Sequence, residues 1–245
     1  MAILGIVPTH TLKERQKLIL WALVEEYIDS ASPISSHQLV DKFRWPLSSA
    51  TVRNELLALD DQGYLSQPHT SAGRVPTDKA YRFYIEERIE IAYRLPADEQ
   101  GRVSRIARVR EEDEFLKQVA RAVSEIAEEF TLVGLHEDDI FYKAGISEVM
   151  RDPEFSNPEA LQEFSRLMDF VDEEMTRMFN TDDFATPRAF VGAENPIREA
   201  RNYGMVISAI RTPKGNERLL AILGPRRMNY RKNLSLFEYI RDVCE

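Results

Sequence analysis

Cysteine is almost missing from this sequence. Cys244 stands alone among 245 residues, so no internal disulfide can form, and a reducing cytoplasm fits the chain. Long apolar runs are missing too: none approaches the ~20 residues needed to cross a bilayer, so no membrane association is expected. Met1 to His10 has neither a basic n-region nor a small-residue cleavage site, and no secretory signal is expected there. The four histidines, His10, His37, His69 and His136, do not combine with Cys244 or with carboxylates at metal-ligand spacing. Glu137-Asp138-Asp139 lacks the glycine and the ligand spacing of a calcium loop and reads as a solvated turn. A glycine-rich phosphate cradle is absent as well. No enzyme, no metal and no cofactor are therefore expected.

An excess of positive charge is also lacking. The formal net charge is -9, whereas a protein that coats polyanions would be basic overall. The charge is uneven, however: residues 1–95 hold 11 Lys+Arg against 12 Asp+Glu, and residues 96–245 hold 21 against 29. Any nucleic-acid contact in the near-neutral first part must come from local placement of cations, and the acidic remainder lowers nonspecific affinity.

What is present is a globular composition. Hydrophobic residues make up 43% and charged residues 30%, which excludes disorder. Leu20, Leu23, Val24, Tyr27 and Ile28 recur at helical spacing and predict an amphipathic helix over 12–29, with Thr11 as N-cap. Pro33 breaks the chain. A second helix is expected from about Ser36 to Phe43, capped by Ser35 or Ser36, with Leu39, Val40 and Phe43 inward. Trp45-Pro46 forces a turn, because proline disfavours helix in the residue before it. Ser48 caps a third helix over about Ser49 to Gln62, with Val52, Leu56 and Leu59 as its buried stripe and Gly63 placed to end it. Tyr64-Leu65, a turn-rich loop and Val75-Pro76-Thr77 make a β-hairpin whose prolines keep its pairing short. Thr77 or Asp78 opens a fourth helix.

Three helices followed by a hairpin are the winged helix-turn-helix order. The major groove admits one helix, and the second helix of the turn presents its N-terminal residues to base edges. Here that helix begins Ser48-Ser49-Ala50-Thr51-Val52-Arg53-Asn54. Ser48, Ser49, Thr51, Arg53 and Asn54 are therefore candidate contacts, and the free amides of the first turn favour a phosphate. On the wing, His69, Ser71 and Arg74 are candidates, with Arg74 expected at the tip as a phosphate or minor-groove contact. Lys42 and Arg44 could flank the same surface, provided Asp41, Glu55 and Asp60 face elsewhere. Polar residues at a helix start are as often caps as contacts, and winged helices also serve as protein-docking modules.

Residues 94–110 read as a linker, with Pro96, Gly101 and scattered arginines. Glu111 to Phe130 is a further amphipathic helix, with Phe115, Val119, Ala122, Val123 and Ile126 on one side. Strands are expected at Thr131–Leu135, Ile140–Tyr142, Ala189–Gly192, Met205–Ile210 and Leu219–Leu223, and helices over Pro158–Phe179 and Met228–Val243. Gly224-Pro225 reads as a packed corner, and Arg226-Arg227 as a surface pair or a dimer contact. The fold class expected is α+β: residues 1–95 a winged-helix DNA-binding domain, 96–130 a linker and connecting or dimerising helix, and 131–245 a smaller α/β domain for regulation or dimerisation.

The run from Ser48 to Leu56, then Gly63-Tyr64-Leu65, Gln67 to Lys79 and Tyr81-Arg82-Phe83-Tyr84, resembles the N-terminal domain of the HrcA family of heat-inducible repressors. Similarity continues at Gly145-Ile146-Ser147, Pro153-Glu154-Phe155, Val191 to Asn195 and Leu223 to Tyr230. The resemblance implies repression of chaperone genes by dimers bound to an inverted-repeat operator (CIRCE), loss of activity on heating, and support by the GroE chaperonin. It also implies a GAF-like C-terminal domain carrying a second, inserted dimerising domain. The chain is shorter than typical members, with the gap near His136. There, part of the GAF-like sheet and the inserted domain would be lost. Arg226 stands where the family usually has a smaller polar residue. Two other readings stay open at this point: a ligand-sensing regulator with a small molecule in the GAF-like pocket, and a docking module with no DNA role.

Overall fold

The computed structural model describes residues 12–88, 93–135, 140–181 and 184–244. It divides into two compact units, Met1–Tyr84 and Ile85–Glu245, and mixes helices with sheet. None of the described helices is long and apolar enough to cross a membrane.

The first unit holds α1 (Glu14–Ser30), α2 (Ser36–Phe43), α3 (Ser49–Asp61), β1 (Leu65–Ser66), β2 (Val75–Pro76) and the start of α4 (Asp78–Arg88). Thr11, expected to cap α1, lies outside the described residues. Lys13 holds the cap position, and its amide donates to Gln16 Oε1 at 3.2 Å. Ile19, Leu20, Leu23 and Val24 bury the inner stripe of α1. The start of α2 is fixed reciprocally: the Gln38 amide donates to Ser35 Oγ at 3.2 Å, and the Ser35 amide donates to Gln38 Oε1 at 2.8 Å. Leu39 is buried; Val40 and Phe43 are only partly so, and Phe43 stacks on Trp45. Val52, Leu56 and Leu59 anchor α3, which gives way to Gly63 at φ +76.

The hairpin pairs only Leu65 with Pro76 and Ser66 with Val75. Ile34, just before α2, adds an isolated β-bridge to Arg74. Its amide donates to the Arg74 carbonyl at 2.9 Å, and the Arg74 amide donates to its carbonyl at 2.8 Å. Gly73 makes this approach possible, since a Cβ there would lie 2.5 Å from the backbone of Ile34.

The second unit runs α5 (Ala97–Ile106), α6 (Glu112–Ala127), β3 (Phe130–Leu135), β4 (Ile140–Ala144), α7 (Ile146–Val149), α8 (Pro158–Thr181), β5 (Arg188–Val191), β6 (Tyr203–Arg211), β7 (Glu217–Pro225) and α9 (Tyr230–Cys244). The sheet order is β4-β3-β7-β6-β5, antiparallel throughout. Alternation along the strands divides the core. Phe130, Leu132, Met205, Ile207, Leu219, Ala221 and Leu223 join Phe164, Leu167, Val171 and Met175 of α8 in one cluster. The alternate positions, Val133, Val206, Leu220 and Ile222, are equally buried, and α6 packs on β3 while α9 packs on β6. The sheet is thus covered on both faces.

Four expectations need correction. Residues 97–106 are helix rather than linker: Val103 and Ile106 are buried, and Gln100 Nε2 donates to the Leu95 carbonyl at 2.7 Å. Phe130 opens β3 instead of closing the preceding helix, and Ala122 is only partly buried. Gly192 starts a short 3-10 turn after β5. Arg227 is no surface residue. It is 9% exposed and pairs with Asp152 and, at 3.1 Å, with Glu154. The turn at 136–139 lies outside the described residues, while β3 and β4 on either side of it pair in register from Thr131↔Ala144 to Leu135↔Ile140.

Candidate nucleic-acid interface

With Val52, Leu56 and Leu59 turned into the core, helical geometry leaves Ser49, Ala50, Arg53, Asn54 and Leu57 on the outer face of α3, and all five are exposed. Ser48 Oγ accepts the Thr51 amide at 3.1 Å, and the two hydroxyls share a hydrogen bond at 2.9 Å. Both side chains are therefore engaged in capping the helix, leaving Ser49 as the hydroxyl of the first turn that the cap does not use.

The loop between β1 and β2 is braced from within. Gln67 Nε2 donates to the carbonyls of Thr70 at 3.0 Å and Ala72 at 2.8 Å, and the Ala72 amide donates to the His69 carbonyl at 2.8 Å. His69 and Ser71 are exposed on this loop. Arg74, expected at the tip, stands at its base: its Nε lies 2.7 Å from Asp60 Oδ2, with the side chain 13% exposed.

The flanking cations separate into two kinds. Lys42 pairs with Glu26 and lies 3.9 Å from Asp29; the hydrogen bond to Glu26, ahead of the nearby charges, holds its pKa above the usual lysine value. Arg44 closes α2 in a left-handed conformation at φ 49. Arg44 and Arg53 are exposed and carry no ion pair among the described residues. Two carboxylates near the surface are held by arginines, Glu55 by Arg15 and Asp60 by Arg74, while Asp41 stays exposed in contact with His37 at 2.8 Å.

Between α3, the start of α2 and the hairpin loop lies a cleft of ≈ 400 Å³. Ser35, Ser36, Arg53, Leu57, Gln67, Thr70 and Ser71 are among its walls, and none of the described residues lining it is acidic. A cleft with arginine and hydroxyl side chains and without carboxylates among its described walls suits an anionic ligand. Among the described residues no group of three or more His, Cys, Asp or Glu is placed to hold a metal ion.

Residues 79–234 match the family model described as the HrcA protein C terminal domain. The chain belongs to the HrcA family. A relative named heat-inducible transcription repressor HrcA, from Thermodesulfovibrio yellowstonii, is 25% identical over an alignment of 330 positions that covers 92% of this chain and 94% of the relative. That alignment is longer than the 245 residues here, so the relative carries residues with no counterpart in this chain. The Chloroflexus aurantiacus protein of the same name is 44% identical over 112 residues, 46% of this chain, and the match spans only 30% of that relative's length. A crystal structure described as that of a hypothetical protein superposes with a TM-score of 0.80 at 18% identity, over 96% of this chain and 98% of that one. It shares the fold.

The HrcA family model covers nearly all of the second unit, whereas α2, α3 and the hairpin lie before its first matched residue. The family model thus does not reach the residues that line the cleft. Sequence reasoning did not single out Leu57 or Gln67. Leu57 was findable as a leucine off the 52–56–59 stripe. Gln67 left no local signal, because its bonds run to loop carbonyls whose positions depend on the fold.

Proposed function

We propose that this HrcA-family chain is a transcription repressor. Its first unit acts as a winged helix-turn-helix on double-stranded DNA, with α3 in the major groove and the hairpin as the wing. The observation that carries this reading is the cleft between α3 and the hairpin, open, free of carboxylates among its described walls, and bearing the exposed Arg53. Ser49, Asn54, His69, Ser71 and Arg44 are the remaining exposed candidates that neither cap α3 nor pair with a carboxylate among the described residues. Arg74, Lys42, Ser48 and Thr51 contribute by holding the surface in shape. The antiparallel sheet with helices on both faces, in the order β4-β3-β7-β6-β5, supports a GAF-like reading of the second unit.

A homodimer would set two α3 helices in successive major grooves of an inverted repeat, since half-site spacing mirrors protein symmetry. The relatives' printed name supports heat-shock genes as the target. Selection of bound duplexes from a random pool with the purified full chain tests this directly. An inverted repeat, found upstream of chaperone genes in the source genome, is the expected result. Recovery of no preferred sequence, with retention on DNA no better than that of an acidic control protein, would overturn the reading.

A further inference from the structure

Leu57 is 43% exposed, one of the few large apolar side chains that the described residues leave open to solvent. It contributes little to the core of its own helix, where Val52, Leu56 and Leu59 are at most 4% exposed. It lies four residues after Arg53 and seven after Ala50, so all three share the outer face of α3. It also lines the acid-free cleft beside Arg53. A leucine in that position cannot hydrogen-bond to a base edge. Of the groups that base pairs present in the major groove, one is apolar: the 5-methyl of thymine.

We propose that Leu57, with Ala50 about two turns nearer the helix start, reads thymine methyl groups in the bound duplex. The inference rests on the DNA-binding reading and adds to it a chemical preference that the polar candidates do not supply. Arg53 and Asn54 offer donors and an acceptor to purine edges. Leu57 offers only contact area, and contact area favours thymine over the other bases and over uracil.

The test separates methyl recognition from hydrogen bonding. The best duplex recovered by selection is resynthesised with deoxyuridine replacing each thymine in turn, which removes one methyl and leaves every donor and acceptor in place. Binding by wild type should weaken about fourfold at one or two positions per half-site, the size of one buried methyl contact. In Leu57→Ala the penalty at one of those positions should vanish, while Leu57→Met should retain it. The exposed position of Leu57 leaves folding intact, which a thermal melt checks. The wild-type scan reads the effect without any substitution. If no duplex is recovered, the DNA reading falls and this inference falls with it. If a duplex binds but no deoxyuridine weakens it, or if the penalties persist unchanged in Leu57→Ala, methyl reading by Leu57 is wrong while the DNA reading stands.

Discussion

Arg74 and Asp60, fourteen positions apart in sequence, meet at 2.7 Å and join the base of the hairpin to the last turn of α3. The pair fixes the angle between the two parts of the candidate interface. Arg74→Ala removes one partner of an ion pair that is partly sheltered from water, and should cost about 1 kcal/mol of stability in the first unit. Urea titration should show the loss. The salt dependence of DNA binding should change by less than the amount expected for one phosphate contact. A full unit fall in the slope of log K against log salt would instead place Arg74 on a phosphate.

Gly73 is the second structural hinge of the wing. A Cβ there would lie 2.5 Å from the carbonyl carbon and oxygen of Ile34, which are backbone and cannot rotate aside. Gly73→Ala should push the hairpin off Ile34, break the paired bonds between Ile34 and Arg74, and cost about 1–3 kcal/mol. Amide exchange at Ile34 and Arg74 should accelerate in the variant. Unchanged protection would show that the strand can shift to accommodate the methyl.

Arg53 is exposed and has no ion pair to lose, so Arg53→Ala should leave stability within about 0.5 kcal/mol of wild type. Binding to the selected duplex should weaken by about 1–3 kcal/mol if the guanidinium reads a base. Arg53→Lys separates the possible roles: a phosphate contact survives as a point charge, whereas bidentate guanine reading does not. Gel-shift titration of the three proteins on the same duplex gives the answer.

The helices of the first unit were legible because their apolar stripes are complete and their ends carry Ser35, Ser48 and Gly63. The helix over 97–106 was not. It has only Val103 and Ile106 fully buried, and Pro96, Gly101 and the arginines imitate a linker. Exposure of the site's cations was equally hidden. Lys42, Arg53, Arg74 and Arg227 look alike as sequence, and what separates them is the position of distant carboxylates. Asp152, for example, lies 75 residues from Arg227 along the chain. Patterning reports which face of an element is buried; charge pairing depends on how elements pack, and no local period encodes it.

Cys244 follows from burial in the same way. Burial pushes its thiol up to about 11, so little thiolate exists near neutral pH. Iodoacetamide should label the folded chain slowly at pH 8 and the urea-unfolded chain at the rate of a free cysteine. Equal rates would show that the last turn of α9 opens readily.

The strongest pH effect should come from Glu129. It is buried just before β3, and its carboxyl fills the space where Gly224 has no side chain; a Cβ on residue 224 would collide with it. Desolvation, and after it the neighbouring Asp152 carboxylate, raise its pKa well above the usual carboxylate range, with Arg227 opposing. Glu154, across Arg227, is also raised, mainly by desolvation. An acid whose pKa is higher in the folded state than in the unfolded state holds more protons when folded. Its contribution to stability is complete below the unfolded value and is lost as pH rises through the folded value. The denaturation midpoint should therefore decline as pH climbs from about 4, the ordinary carboxylate range, toward alkaline values. Glu129→Gln stays neutral throughout. It should match wild type near pH 4, exceed it at pH 8, and show a shallower decline, with the remaining slope belonging to Glu154. If the variant is the less stable protein at pH 8, the ionised Glu129 is a favourable partner of Arg227, and the balance between desolvation and pairing runs the other way.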